Sequence, residues 1–167
     1  MKFVRDVIAP LITAVAIFAL FQITLGTFKV YGSSMEPSIQ PGEYIVVRKT
    51  AYFLHTPERG DIIVFHSPQS PDSDLIKRVI ALPGDTIEIK NGTVFVNDIP
   101  ILETYAAELC KNDYHCQEIP ANNYFVLGDN RNHSADSRRG WTVPDENIVG
   151  RSWLTYWPPE KWGLFDR

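Results

Sequence analysis

Hydrophobic positions divide the chain into two unlike parts. From Val7 to Phe28 there is no charged residue, and the run covers 22 positions. As a helix it would reach roughly 33 Å, enough for a bilayer core. Pro10 near its start and Gly26 near its end lie where both are tolerated. Beyond it the apolar residues come in short bursts, separated by Pro, Gly, Asn and Asp. These bursts are Glu43–Arg48, Ile62–Phe65, Leu75–Leu82, Thr86–Lys90, Thr93–Asn97, Tyr124–Leu127 and Asn147–Trp157. β-branched bursts bounded by turn residues predict strands. Asn91-Gly92 between two of them predicts a tight hairpin. Residues 100–120 show no period and predict an irregular, mobile surface insertion. The expected fold class is mostly β, an antiparallel β-sheet domain over residues 29–167 behind one transmembrane helix over 7–28.

Composition adjusts this picture only slightly. Twelve prolines and ten glycines in 167 residues favour turns and short strands over long helices. The net charge is -4 and the sixteen basic residues form no stripe, which argues against nucleic acid as a partner. A secretory signal peptide would have an apolar core of about 7–15 residues, so the longer run here is expected to remain as an anchor. Lys2 and Arg5 precede it, against Asp6. Positive charge favours the cytoplasm, so residues 1–6 are expected there and the β domain on the far side. Cys110 and Cys116 lack the paired spacing of a zinc site. In an oxidising compartment a small-loop disulfide between them is the expectation.

Candidate chemistry begins directly after the apolar run, at Gly32-Ser33-Ser34-Met35-Glu36-Pro37-Ser38. A serine needs a positioned base to become a nucleophile. Of the four histidines only His133 has polar company that suggests a base, and a solvated loop histidine is the plainer reading. A lysine is the alternative. At its usual pKa only about one lysine in a few thousand is neutral at pH 7, and burial raises that share roughly a hundredfold for a drop of about two units. Lys77, within Asp74–Leu82, shares a strand face with Leu75, Val79 and Ala81, whereas Lys49, Lys90 and Lys111 fall at strand ends or in loops. A lysine in an edge strand can also snorkel to water, so the pattern alone does not choose.

Three separated blocks then resemble, in order, the bacterial type I (leader) signal peptidases, serine proteases with a Ser/Lys dyad. They are Ser34–Ser38, Lys77–Asp85 and Gly128–Arg138, with a weaker fourth at Gly60–Phe65. The resemblance implies Ser34 as nucleophile and Lys77 as general base. It implies Ser134 as the hydroxyl that orients Lys77, Asp136 and Arg138 as a loop-bracing ion pair, and Asp129 as a supporting acid. Gly32 occupies the position from which some members donate a second oxyanion hydrogen bond. The implied activity is cleavage of signal peptides from exported preproteins after small, Ala-x-Ala-like residues. The implied substrate mode is an extended strand. No cofactor or metal is implied. The implied partners are preprotein signal peptides and the lipid bilayer, and a monomer is expected. The implied location is an inner or plasma membrane, or a thylakoid-type membrane. A silent binding module and a self-cleaving peptidase of the repressor type are the rival readings; intact boxes disfavour the first and the anchor disfavours the second.

Overall fold

The computed structural model describes residues 4–165, so Met1–Phe3 of the expected cytoplasmic end lie outside it. A π-helical turn, Val4–Ile8, runs into helix α1, Ala9–Thr24. Together Arg5–Thr24 form one apolar helix of 20 residues, and α1 buries none of its side chains in the protein. That gives about 30 Å of lipid-compatible surface. The helix ends four residues earlier than the apolar run, because Leu25–Lys29 turn extended as strand β1. The reason lies in the partner strand. The backbone N–H of Lys49 donates to Thr24 O at 2.9 Å and its Nζ donates to Gln22 O at 3.3 Å. A cation and an N–H therefore satisfy carbonyls that the helix C-terminus leaves open. Lys49 is a helix cap and not a free loop lysine.

The β domain contains β1, then β2 (Tyr44–Arg48), β3 (Ile62–His66), β4 (Asp74–Ala81), β5 (Thr86–Lys90) and β6 (Thr93–Val96). After them come β7 (Ile99–Pro100), β8 (Tyr114–Glu118), β9 (Asn123–Leu127), β10 (Val143–Pro144), β11 (Ile148–Trp157) and β12 (Gly163–Leu164). The larger sheet has the order β1-β2-β11-β3-β4-β9-β10, with β12 added to β11. The smaller has the order β7-β6-β5-β8. All pairings are antiparallel.

The continuous apolar run Ile62–Phe65 reflects a strand buried on both faces. Ile62 and Val64 enter one core with Val30, Met35, Ile39, Ile45 and Val47. Ile63 and Phe65 enter another with Val79, Tyr124, Val126 and Val143. The smaller sheet packs Ile87, Ile89, Val94 and Val96 against Ile80, Phe125 and Leu127. Each such side chain contributes about 1.5–3 kcal/mol on burial. Asn91 and Gly92 both take positive φ, 50° and 82°, as a primed hairpin turn requires. Asn97 and Asp98 do the same at 52° and 63°, making a second tight hairpin into β7.

Two expectations are corrected here. Residues 100–120 are not irregular throughout: β8 lies within them and pairs with β5, leaving 101–113 without strands. Cys110 and Cys116 are not bonded to each other. Cys110 is buried in the core under the smaller sheet, 3.9 Å from Arg138 Nη1, whereas Cys116 is exposed on the edge strand β8. Spacing placed them near in sequence, but opposite environments separate their thiols.

Candidate active site

Ser34 sits in the turn between β1 and β2. Met35 and Ile39, both fully buried, hold that turn to the core, and Ile39 N–H donates to Met35 O at 2.9 Å. Lys77 lies on β4 and is 3% exposed. Its Nζ is 2.7 Å from Ser34 Oγ and 2.7 Å from Ile76 O. Burial lowers the Lys77 pKa to about 8, against the opposing pull of Asp136 and Asp129. About one lysine in ten would then be neutral at pH 7. Ser34 Oγ and Lys77 Nζ thus stand within hydrogen-bond reach, the geometric requirement for proton transfer between them.

The turn after β9 brings up the rest. Gly128 N–H donates to Asp136 Oδ2 at 3.1 Å, and Asp136 also accepts from Arg138 Nε at 2.8 Å and Nη2 at 2.7 Å. Arg138 Nη2 reaches Arg131 O at 2.6 Å, so the Asp136–Arg138 pair closes the loop on itself. Asp129, with 0% exposure, receives Arg78 Nε and Nη2 at 2.9 and 2.7 Å and Ser38 Oγ at 2.6 Å. Ser134 differs from expectation. Its Oγ is buried without a hydrogen-bond partner, and Lys77 bonds Ser34 and Ile76 instead. His133 Nδ1 lies 3.1 Å from Asn130 Oδ1, and its ring makes no hydrogen bond to Ser34. Around Gly32 a Cβ would meet nothing within 4 Å, so its α-carbon faces open space.

Three contributors were not read from the sequence. Asn130 donates its N–H to Ser34 O at 3.0 Å and its Nδ2 to Ser33 O at 3.1 Å, fixing both carbonyls of the serine turn. Arg78 reads locally as one more strand residue, although it forms the buried pair with Asp129. Gly128 supplies close approach. A Cβ there would lie 2.3 Å from Ser134 Oγ and 2.4 Å from Ser34 O, distances no packed side chain tolerates. Gly128→Ala is therefore expected to push the two serine segments apart. A displacement near 1 Å costs about 10²-fold in turnover; steady-state cleavage of a preprotein by the folded variant measures it.

A cleft of about 300 Å³ opens beside Ser34 and Lys77, lined by Phe28–Gly32 on one wall and Asp74–Lys77 on the other, with Ile45 and Val64 on its floor. β1 is the outermost strand of its sheet, and pairing of β4 with β9 begins only at Arg78. Two unpaired backbone edges therefore face this cleft.

Such a fold, an antiparallel β domain behind one apolar helix with a serine and a buried lysine in contact, defines a class. Residues 4–157 match the family described as signal peptidase, peptidase S26. The chain belongs to that family and is of the type I kind, a serine protease that removes signal peptides. It is 37% identical over 170 residues to a probable signal peptidase I-1 of Synechocystis, covering 97% of this chain and 87% of the relative. Signal peptidase I U of Bacillus subtilis is 36% identical over 163 residues, with 91% and 86% covered. The chloroplastic thylakoidal processing peptidase 1 of Arabidopsis thaliana is 38% identical over 160 residues, covering 89% of this chain and 47% of that one. The crystal structure of a signal peptidase I from Enterococcus faecalis superposes with a TM-score of 0.50 at 34% identity, covering 57% of this chain and 96% of that one.

Proposed function

We propose that the chain is a membrane-anchored endopeptidase in which Ser34 is the nucleophile and neutral Lys77 the general base. The 2.7 Å approach of a buried, low-pKa Lys77 to Ser34 Oγ carries the reading. Ser34 Oγ attacks the scissile carbonyl carbon while its proton passes to Lys77 Nζ. The carbonyl oxygen becomes an oxyanion, held by the Ser34 N–H and by a second donor at Gly32 or a water. Lys77 returns the proton to the departing amine nitrogen as the C–N bond breaks. A water then gives its proton to Lys77 and attacks the acyl carbon, and Lys77 passes that proton to Ser34 Oγ as the acyl–oxygen bond breaks. A neutral amine has one lone pair and two N–H groups. The lone pair serves Ser34, one N–H serves Ile76 O, and the second is free to engage Ser134, whose buried hydroxyl lacks another partner.

The preprotein enters extended between the β1 and β4 edges, adding the strand that both lack. Ile45 and Val64 on the floor, with Phe28, Val30 and Ile76 from the walls, make the cleft apolar, which suits small side chains such as those of Ala-x-Ala ends. Helix α1 spans the membrane once, and the β domain lies on the extracytoplasmic side of a plasma, inner or thylakoid-type membrane. Phe53 and Leu54, 74% and 89% exposed, project beside the Arg48–Lys49 corner that caps α1 and rest on the lipid surface. The enzyme works as a monomer.

The test is cleavage of a preprotein by the full chain in detergent, with the product N-terminus sequenced and the pH varied. Only neutral Lys77 accepts the proton, so kcat/KM is expected to rise about tenfold per pH unit below the lysine's pKa of about 8 and to level above it. A profile flat between pH 6 and 8 would remove Lys77 as base. Stability follows a different pH window. Because the folded pKa is lowered from 10.5, the unfolded chain holds the extra proton only between about pH 8 and 10.5, and stability from this group rises with pH in that window alone.

A further inference from the structure

The stretch 101–113 has no strand and carries two of the most exposed apolar residues of the domain, Leu102 at 89% and Leu109 at 70%. Cys110 anchors it in the core, and Glu103 and Tyr105 reach the two arginines that hold the start of the turn carrying Ser134. Glu103 grips Arg131 with both oxygens: Nη2 to Oε1 is 2.7 Å, and Nη1 bonds Oε2. Arg131 is 1% exposed along its side chain and donates Nε to Gly128 O at 3.1 Å. Gly128 is the residue wedged between Ser134 Oγ and Ser34 O. Tyr105 donates its hydroxyl to Glu103 Oε1 at 3.0 Å, and its ring lies 4.0 Å from the Arg78 guanidinium and 5.8 Å from that of Arg131. Arg78 in turn chelates Asp129. Residues 128 and 129 are therefore each held by an arginine, and both arginines rest on one strap. Asn132 ties the strap from the other side, donating Nδ2 to Glu108 Oε2 at 2.6 Å and accepting from Lys111 N–H at 3.1 Å.

We propose that segment 101–113 is a positioning strap for the catalytic turn, with Glu103 and Tyr105 as positioning residues that set the distance between Ser34 and Ser134. This rests on the Ser34/Lys77 reading. The strap touches neither cleft wall, so it acts on the rate of the bound complex and leaves substrate affinity alone. Its material is a bidentate carboxylate–guanidinium pair and a cation–π contact, both of which fix direction as well as distance.

The experiment measures kcat and KM for preprotein cleavage by the full chain in detergent. Glu103→Ala and Tyr105→Leu are each expected to lower kcat by about 10²-fold, with KM held within about twofold. Glu103→Gln keeps one acceptor and is expected to recover part of the loss. In the Arg131→Ala background, Glu103→Ala is expected to cost little more, because the two act as one unit. Leu102→Ser, on the outer side of the strap, is expected to leave kcat unchanged. Near-wild-type kcat in Glu103→Gln and Tyr105→Leu overturns the proposal. So does a change confined to KM, or full additivity with Arg131→Ala. If Glu103→Ala does not fold, Glu103→Gln and Tyr105→Leu are read by the same criteria. Ser34→Ala runs beside them: an active Ser34→Ala sinks the dyad itself, whereas an inactive one with normal Glu103 variants sinks the strap alone.

Discussion

Lys77→Met is expected to reduce preprotein cleavage by at least about 10⁴-fold while leaving the fold intact. Methionine matches the buried aliphatic stem of Lys77 and lacks the amine, so the site loses its base without losing its packing. Burial penalises the ammonium, as the pKa of about 8 records, and the variant is expected to be at least as stable as the native chain. Ser34→Ala is expected to fall by a similar factor, and the double variant by no more than either single one, since the proposed mechanism gives the two groups one shared proton transfer. Product formation on gels with a labelled preprotein, beside a near-ultraviolet circular dichroism spectrum, separates lost chemistry from lost structure. A folded Lys77→Met retaining a tenth of the native rate would rule out the dyad.

Arg78→Met should have the largest effect on stability. Asp129 is fully buried and draws two of its hydrogen bonds from Arg78. Removing the cation strands a carboxylate in the interior, at a cost of about 3–5 kcal/mol. Removing both charges, as in Arg78→Met with Asp129→Leu, is expected to recover most of that loss, because an apolar pair needs no desolvation. Urea unfolding of the full chain in detergent reads the difference. Equal stability of the single and double variants would mean that the pair is solvated after all. The double variant is still expected to be slow in catalysis, since Asp129 also anchors Ser38 in the nucleophile turn.

Much of this fold was legible in the chain because its strands advertise themselves locally. Ile62–Phe65 and Leu75–Leu82 are dense in β-branched residues, and Asn91-Gly92 can take the two positive φ angles a tight turn needs. Asn97-Asp98 makes the same kind of turn with a less emphatic pair. Strand β8 was not readable, since as an edge strand it exposes four of its five residues and shows no apolar alternation. The end of the helix was misplaced because Leu25–Phe28 are as apolar as what precedes them. Long-range bonds from Lys49, N–H to Thr24 O and Nζ to Gln22 O, mark the boundary. At the site, Ser34 and Lys77 were legible through motif and strand setting, whereas Glu103, Tyr105 and Arg78 depend on partners 26 to 51 positions away. No local pattern encodes such pairings. The absent disulfide has the same cause, since sequence spacing cannot tell a core-facing thiol from an edge-facing one.

The cleft between the outer edge of β1 and the first half of β4 is the seam proposed to take an extended preprotein. A preprotein filling it would be bonded mainly by peptide groups, which are alike in every protein. In the proposed mode, recognition through that seam would be blind to most side chains and selective only where one drops onto the apolar floor. Breadth and fidelity would then come from different atoms, the backbone edges accepting unrelated preproteins and a few floor residues deciding where each is cut. An enzyme arranged so can serve a whole secretome with a single site, and its cutting point can drift by mutation without narrowing the range of chains it admits.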